Sequence, residues 1–325
     1  MKVVEIKKHG GPEVLYIGSR PIPKPDINEV LIKVKAAGIN KPDILQREGE
    51  YPAPKDASDI LGLEVSGEVV ELGKETKNIK KGDKVCALVS GGGYSEYCIA
   101  PYTQCLPIPK SLSFEEASAV PETFFTVWFN LFIRSKIKKN QKILIHGGSS
   151  GIGTTAIQFA KNYGLEVFTT TRTDEKMRNC KKIGADHVIN SKKLNFEEFV
   201  KKETNNKGVD FILDIVGGSY VQKNINTLKR NGTLINIGWL TGSVVKVNLL
   251  MIMLKRLVIT GSTLRVGSLE EKEKITKDLK KNIWPLIEKK KIKPILCKTF
   301  PLNKVKDAHI YMDKGLHFGK IALTI

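Results

Sequence analysis

His146-Gly147-Gly148-Ser149-Ser150-Gly151-Ile152-Gly153 is the stretch whose residue types and spacing promise chemistry. Glycines let backbone N–H groups approach an anion, and the unpaired N–H groups of a helix start point at it. A turn of this kind suits a phosphate when it leaves a strand and opens a helix. Both neighbours are present. Ile143-Leu144-Ile145 is an apolar run too short for a helix, and beyond Thr154 apolar residues fall at Ala156, Phe159, Ala160 and Tyr163, a helical spacing. Val167-Phe168-Thr169-Thr170-Thr171 supplies a second strand and closes a βαβ unit. The glycine spacing, Gly148-x-x-Gly151-x-Gly153, departs from G-x-G-x-x-G, so the flanking elements carry the expectation of a bound dinucleotide. Ser150 is expected beside a phosphate or the substrate; its motif holds no paired base that would make it a nucleophile.

The end of the second strand bears on which dinucleotide. A carboxylate there would bind a ribose 2′-hydroxyl and repel a 2′-phosphate. This strand ends Thr170-Thr171-Arg172-Thr173, with Lys176 in the first turn of the next helix. The pattern favours NADPH over NADH, with Thr171, Arg172 and Lys176 around the phosphate. Asp174 is the contrary sign, but at a helix start it is expected to cap backbone N–H groups.

These residues need a scaffold. Residues 1 to 122 read as β-rich, with strands at Glu29–Ala37, Val65–Leu72, Lys84–Val89 and Ser95–Ile99, a pattern for a small barrel-like domain. Ser113 and Glu116 form a capping box, and an aromatic-rich helix spans Pro121 to Phe132. After the glycine turn, strands at His187–Ile189, Val209–Asp214, Thr233–Ile237 and Leu257–Thr260 alternate with helices at Asp174–Ile183, Phe196–Glu203, Tyr220–Leu228 and near Leu249. Such alternation predicts a doubly wound parallel sheet, an α/β fold. The tail holds one helix, Leu269 to Lys289, and strands at Cys297–Phe300 and Lys320–Thr324; it is too small for its own core and is expected to return to the first domain.

Composition narrows the class. The 325 residues hold no apolar run long enough to cross a bilayer, and the N-terminus shows no signal-peptide core. Five scattered cysteines suggest a reducing, cytoplasmic setting. The net charge of +19 raises a nucleic-acid footprint, yet only eight of the 53 basic residues are arginine and the lysines are spread along the chain, as on a solvated face.

Several further segments resemble one family. Ala36-Ala37-Gly38-Ile39-Asn40-Lys41-Pro42-Asp43 resembles the G-x-N-x-x-D segment of medium-chain dehydrogenases/reductases. Gln46 to Pro52, Ile60 to Gly67, Gly261-Ser262-Thr263-Leu264-Arg265 and Gly319-Lys320-Ile321 sharpen the likeness to its quinone oxidoreductase branch, of the p53-inducible quinone reductase type. The resemblance covers the whole chain. It implies a GroES-like catalytic β-barrel from both chain ends (1–122 and 265–325), a Rossmann domain between them (123–264), a cleft, and a homodimer paired along the edge strand Leu257–Thr263.

Site residues follow from the resemblance position by position. Asn40 and Tyr51 would lie beside the nicotinamide as candidate donors, with Ser150 as a further catalytic candidate. Thr126 would meet the nicotinamide ribose, and Gly151, Ile152 and Gly153 the pyrophosphate. Val216, Gly217, Ile237 and Gly238 lie where strand ends meet the cofactor, Leu264 and Arg265 follow the last strand, and Lys320 would close on the cofactor. Ser191 stands where relatives often carry a tyrosine near the adenosine phosphate. Zinc-dependent relatives place a cysteine and a histidine where this chain has Asn40 and Leu63; an amide and an alkyl group are poor zinc ligands, so no metal is expected. The implied activity is NADPH-dependent, zinc-independent reduction of a quinone. The same scaffold would serve a 2-enal, enone or enoyl-thioester reductase, and RNA binding or a structural role is the rival of another class.

Overall fold

The computed structural model describes residues 1–325 and divides them into two units, Met1–Thr126 with Leu264–Ile325, and Val127–Thr263. The first unit opens with β1 (Lys2–Ile6) and β2 (Leu15–Ser19), an antiparallel pair. β3 (Glu29–Ile39) runs into α1 (Lys41–Glu48), a helix within the span that the strand pattern assigns to β structure. Its start signals are local: Asn40 is the N-cap, Pro42 lies in the first turn and Asp43 reaches back to the Asn40 N–H. β4 (Glu64–Leu72), β5 (Lys84–Leu88), β6 (Tyr97–Pro101) and β7 (Cys105–Pro107) follow. The Ser113 hydroxyl accepts from Glu116 N and the Glu116 carboxylate accepts from Ser113 N, opening the short α2 (Phe114–Ala117). α3 (Pro121–Trp128) ends the first stretch and widens into a π-turn over Phe129–Arg134.

The second unit is wound around a parallel sheet. In chain order it holds β8 (Lys142–Ile145), α4 (Gly151–Asn162), β9 (Glu166–Thr171), α5 (Asp174–Lys182), β10 (His187–Asn190), α6 (Phe196–Glu203), β11 (Val209–Asp214), α7 (Tyr220–Thr227), β12 (Leu228–Asn236), α8 (Leu250–Lys255) and β13 (Val258–Gly261). The six strands lie in the order β10-β9-β8-β11-β12-β13. Ile143, Leu144, Ile145, Val167, Phe168, Ile212 and Leu213 are fully buried, as continuous apolar runs must be when helices cover both faces. Strand order reverses between β8 and β11. Ligands of open α/β sheets bind beyond the carboxyl ends of strands at such a switch point. The glycine turn leaves β8 there, and Val216-Gly217 leaves β11.

The chain then returns to the first unit through α9 (Leu269–Asn282), α10 (Trp284–Glu288), β14 (Leu296–Pro301), α11 (Val305–Asp313) and β15 (Lys320–Thr324). The single helix expected over Leu269–Lys289 is two helices. Pro285 cannot donate to the ladder and opens the second. α11 is a further element that the pattern did not give. The larger sheet has the order β14-β15-β3-β4-β5-β7, with β6 also on β3. β3 carries β4 on one edge; on the other, β6 flanks Glu29–Lys33 and β15 flanks the Ala36–Ile39 end. Val30, Ile32, Val34, Val65, Val69, Ile321 and Leu323 pack together in its core. This register brings the end of β3, the start of β4 and the start of β15 to one point.

Candidate functional site

That point is a buried charge cluster in the first unit. Lys320 Nζ donates to Ile39 O at 2.7 Å and Asn40 Oδ1 at 2.5 Å, and pairs with Glu64 Oε1 at 2.6 Å. Asn40 Nδ2 donates to the same Glu64 oxygen at 3.0 Å, and the other oxygen, Oε2, accepts from Glu122 N at 2.8 Å. Glu64 is fully buried and Lys320 is 5% exposed. The arrangement needs Gly38, because a Cβ there would run into the Glu64 carboxylate and the Ser118 carbonyl. Asp43 is also fully buried. Its carboxylate accepts from Asn40 N, Gly62 N and the Tyr94 hydroxyl, at 2.7, 3.1 and 3.0 Å. Burial still pushes its pKa up to about 6, against those hydrogen bonds and Lys320.

A second group surrounds Tyr51. The ring is half-buried, and the Arg265 guanidinium lies over it at 5.4 Å from the centroid. Burial first, then the Glu122 charge, raises the Tyr51 pKa, and Arg265 opposes the shift. Glu122 itself is driven up to about 8 by burial and by Glu64. Arg265 Nε donates to Ser90 O at 2.9 Å, and Lys272 Nζ donates to Arg265 O at 2.9 Å. Leu264 is buried beside it in the chain, and Thr126 is a half-buried residue of α3.

In the second unit the glycine turn is braced from below. Ser150 caps α4: its Oγ accepts from Gly153 N at 3.0 Å and donates to Gly147 O at 2.8 Å. The N–H groups of Gly151 and Ile152, first in the helix, take no partner within the protein, as the opening of an anion site requires. A Cβ on Gly153 would collide with the backbone of Gly147 and Gly148, so the helix packs on the turn only with glycine there. Beneath lies His146, fully buried. Its Nδ1 is 3.0 Å from Thr170 Oγ1 and its Nε2 is 2.7 Å from Asn224 Oδ1. Asn224 Nδ2 donates to Asp214 Oδ2 at 3.0 Å, and Asp214 Oδ1 accepts from Val216 N at 2.7 Å and Gly217 N at 3.2 Å. Since Asn224 Oδ1 only accepts, Nε2 carries the proton and Nδ1 accepts from Thr170. Burial holds the imidazole pKa down, so this tautomer is neutral. One network thus ties the turn after β8 to the Val216-Gly217 turn after β11. Ile237 N bonds to Asp214 O at 2.9 Å, bringing Ile237 and Gly238 to the same strand ends.

The end of β9 gathers the other expected residues. Arg172 is exposed, Lys176 is half-buried on α5, and Ser191 Oγ donates to Thr171 O at 3.2 Å. Thr171 Oγ1 is buried without a partner. The expectation that Asp174 caps α5 is corrected: Thr173 is the cap, accepting from Lys176 N at 3.3 Å. The Asp174 carboxylate instead takes Asn190 Nδ2 at 2.7 Å and Lys193 Nζ at 2.6 Å, and these two hydrogen bonds, Lys193 first, hold its pKa down.

Two more expected residues are engaged within the chain. The Lys320 ammonium lies on Ile39, Asn40 and Glu64. Ser150 caps α4, its hydroxyl both donating and accepting within the turn. Asn40 keeps one Nδ2 hydrogen beyond its bonds to Glu64 and Lys320. Sequence reasoning missed the Lys320–Glu64 pair, Glu122 and the His146–Asn224–Asp214 chain. The available hint for the last was a histidine directly after a buried strand.

The comparisons agree with this architecture. Residues 26–110 match the alcohol dehydrogenase GroES-like domain, and residues 151–281 match the zinc-binding dehydrogenase family. The human quinone oxidoreductase is 30% identical over 95% of this chain and 93% of its own length. The crystal structure of Escherichia coli quinone oxidoreductase complexed with NADPH superposes with a TM-score of 0.89 at 30% identity, covering 100% of both chains. The CurK enoyl reductase superposes with a TM-score of 0.88 at 26% identity, over 99% of this chain and 98% of its own. The chain belongs to the medium-chain dehydrogenase/reductase superfamily, with quinone oxidoreductases among its homologues.

Proposed function

We propose that this protein is an NADPH-dependent, zinc-independent reductase of quinones. The observation that carries the reading is the Lys320 ammonium, lodged on Asn40 and Glu64 where zinc-dependent relatives would hold a metal. A cation site filled by a lysine, with an amide and one carboxylate as its partners, does not fit zinc, and no three His, Cys, Asp or Glu side chains converge into a metal site. Without a metal to polarise an alcohol or ketone, an electron-poor conjugated carbonyl is the acceptor that needs least help.

The residues of the second unit fit the dinucleotide. Gly151 and Ile152 would donate backbone N–H groups to the pyrophosphate, Gly153 gives α4 its close approach, and the His146 network holds the two turns in register. Arg172 and Lys176 would take the 2′-phosphate, with the Thr171 hydroxyl and Ser191 beside it. NADPH when bound would supply the reducing equivalents. The chain's part would be to bind and orient it, and to present Asn40 and Tyr51 as donors. The cellular setting is cytoplasmic, in keeping with five unpaired cysteines. The working form is a homodimer joined along β13.

A second reading, an enoyl-thioester or enone reductase, is favoured by the likeness to the CurK enoyl reductase. Oxidation of NADPH and NADH measured against quinones, enals and enoyl thioesters tests both. Turnover confined to enoyl thioesters replaces the first with the second, and no oxidation with any acceptor removes both. Arg172→Ala is expected to weaken NADPH by about tenfold or more, about 1.4 kcal/mol, with little effect on NADH. Equal loss for both cofactors ends the phosphate role.

A further inference from the structure

One strongly basic group has a fork with no hydrogen-bond partner. Arg265 is only 8% exposed, and its Nε bond to Ser90 O fixes the guanidinium. Both Nη atoms are buried and have no hydrogen-bond partner in the protein. The guanidinium lies over the Tyr51 ring, but stacking uses the ring's face, whereas the Nη hydrogens lie in the guanidinium plane and stay unsatisfied. Asp43 and Glu122 act on it only through space, with no hydrogen bond to the fork, and burial and Glu64 push the Glu122 carboxyl up to about 8. Lys272, buried with its ammonium on the Arg265 carbonyl, adds a second cation. Tyr51, over which the guanidinium lies, is half-buried on a largely exposed loop.

We propose that Arg265 is the oxyanion receptor for the substrate: its two Nη groups take the oxygen that becomes negative when a quinone carbonyl is reduced, with the Tyr51 phenol beside it. A paired N–H fork matches an oxyanion in shape as well as charge. The inference rests on the reductase reading and names its substrate's anchor. The balance is simple. A quinone that gains two electrons and one proton from the reduced nicotinamide becomes a hydroquinone monoanion, and one proton from solvent completes the hydroquinone. Arg265 holds the charged oxygen between these events and exchanges no proton. Access to the fork requires the Tyr51 loop to swing outward.

The test uses 4-nitrophenol, whose ionised form is yellow, with the full-length protein. Binding to the wild type should favour the phenolate, lowering the pH at which bound 4-nitrophenol turns yellow; binding as the neutral phenol overturns the proposal without any variant. Arg265→Gln should abolish that shift and lower kcat for quinones by about 10²–10³-fold, the loss typical of removing an oxyanion donor. The NADPH Kd, read by fluorescence titration, should change less than twofold. A matching loss in NADPH affinity overturns the proposal in favour of a cofactor contact, and unchanged phenolate binding overturns it outright. If Arg265→Gln fails to fold, Arg265→Lys decides: it keeps the charge and loses the fork, so phenolate affinity should fall several-fold, and an unaltered affinity counts against the fork. Phenolate binding does not depend on turnover, so a wild type that binds it yet oxidises no NADPH condemns the quinone reading and not the anion site.

Discussion

Lys320 and Glu64 are a charge pair from which water is excluded, and each also satisfies Asn40. Removing one member of such a pair strands the other. Lys320→Met should therefore destabilise the protein by about 3–5 kcal/mol in urea unfolding, the range for a broken buried ion pair. A loss below about 1 kcal/mol, as at an exposed pair, would show that the site is solvated. Glu122 gives the opposite sign with pH. Its folded pKa, raised to about 8, exceeds the unfolded value of about 4.3, so the native state holds the proton longer. The stability it contributes is whole below the unfolded pKa and is lost as pH rises through about 8. Glu122→Gln should flatten the fall in thermal midpoint between pH 5 and 9, in a scan buffered at constant ionic strength. A fall as steep as that of the wild type would assign the alkaline loss elsewhere. Glu122 does not announce itself in the sequence, because a glutamate becomes an acid of this kind only through what buries it.

Among the elements, the turn between β8 and α4 shows how local pattern and distant support combine. Its strand, glycines and helix are legible because each depends on neighbours in the chain: a short apolar run, positions without Cβ, and a 3.6-residue period. The packing of α4 against the turn leaves no room at Gly153, where an added Cβ meets backbone rather than a side chain that can move. Gly153→Ala should therefore weaken NADPH binding at least tenfold by titration calorimetry, about 1.4 kcal/mol, while the far-UV spectrum stays native. Retained affinity would mean that the cofactor does not rest on this turn. The brace beneath was not legible. Thr170, Asn224 and Asp214 lie on three separate elements, and only the parallel order of β9, β8 and β11 carries them to His146. Helix α1 failed for another reason: it sits among strands, and its start signals at Asn40, Pro42 and Asp43 were outweighed by the β pattern around them.

At the scale of the whole molecule, β13 is one of the open sheet edges. β13 ends the six-stranded sheet with Val258 52% and Ile259 43% exposed, and Leu250, Met253 and Leu254 of α8 also face solvent. An apolar strand with unpaired backbone groups is a surface that a two-fold partner covers. Light scattering should report a dimer, and Ile259→Lys should shift it to monomer with the fold intact; a wild type that is monomeric at micromolar concentration would refute the pairing. The basic excess includes a run of exposed lysines, Lys289, Lys290 and Lys291, just after α10. Fold class, the glycine turn and the cationic end of β9 could be read from the sequence, because each is fixed by residue type and short-range spacing; the positions at which zinc ligands would stand came only from the resemblance to zinc-dependent relatives. The meeting of Asn40, Glu64 and Lys320, the uncharged tendency of Glu122 and the unpaired fork of Arg265 were decided by tertiary structure alone. They arise where segments distant in the chain meet and strip water from charged groups, and burial of that kind has no local signature.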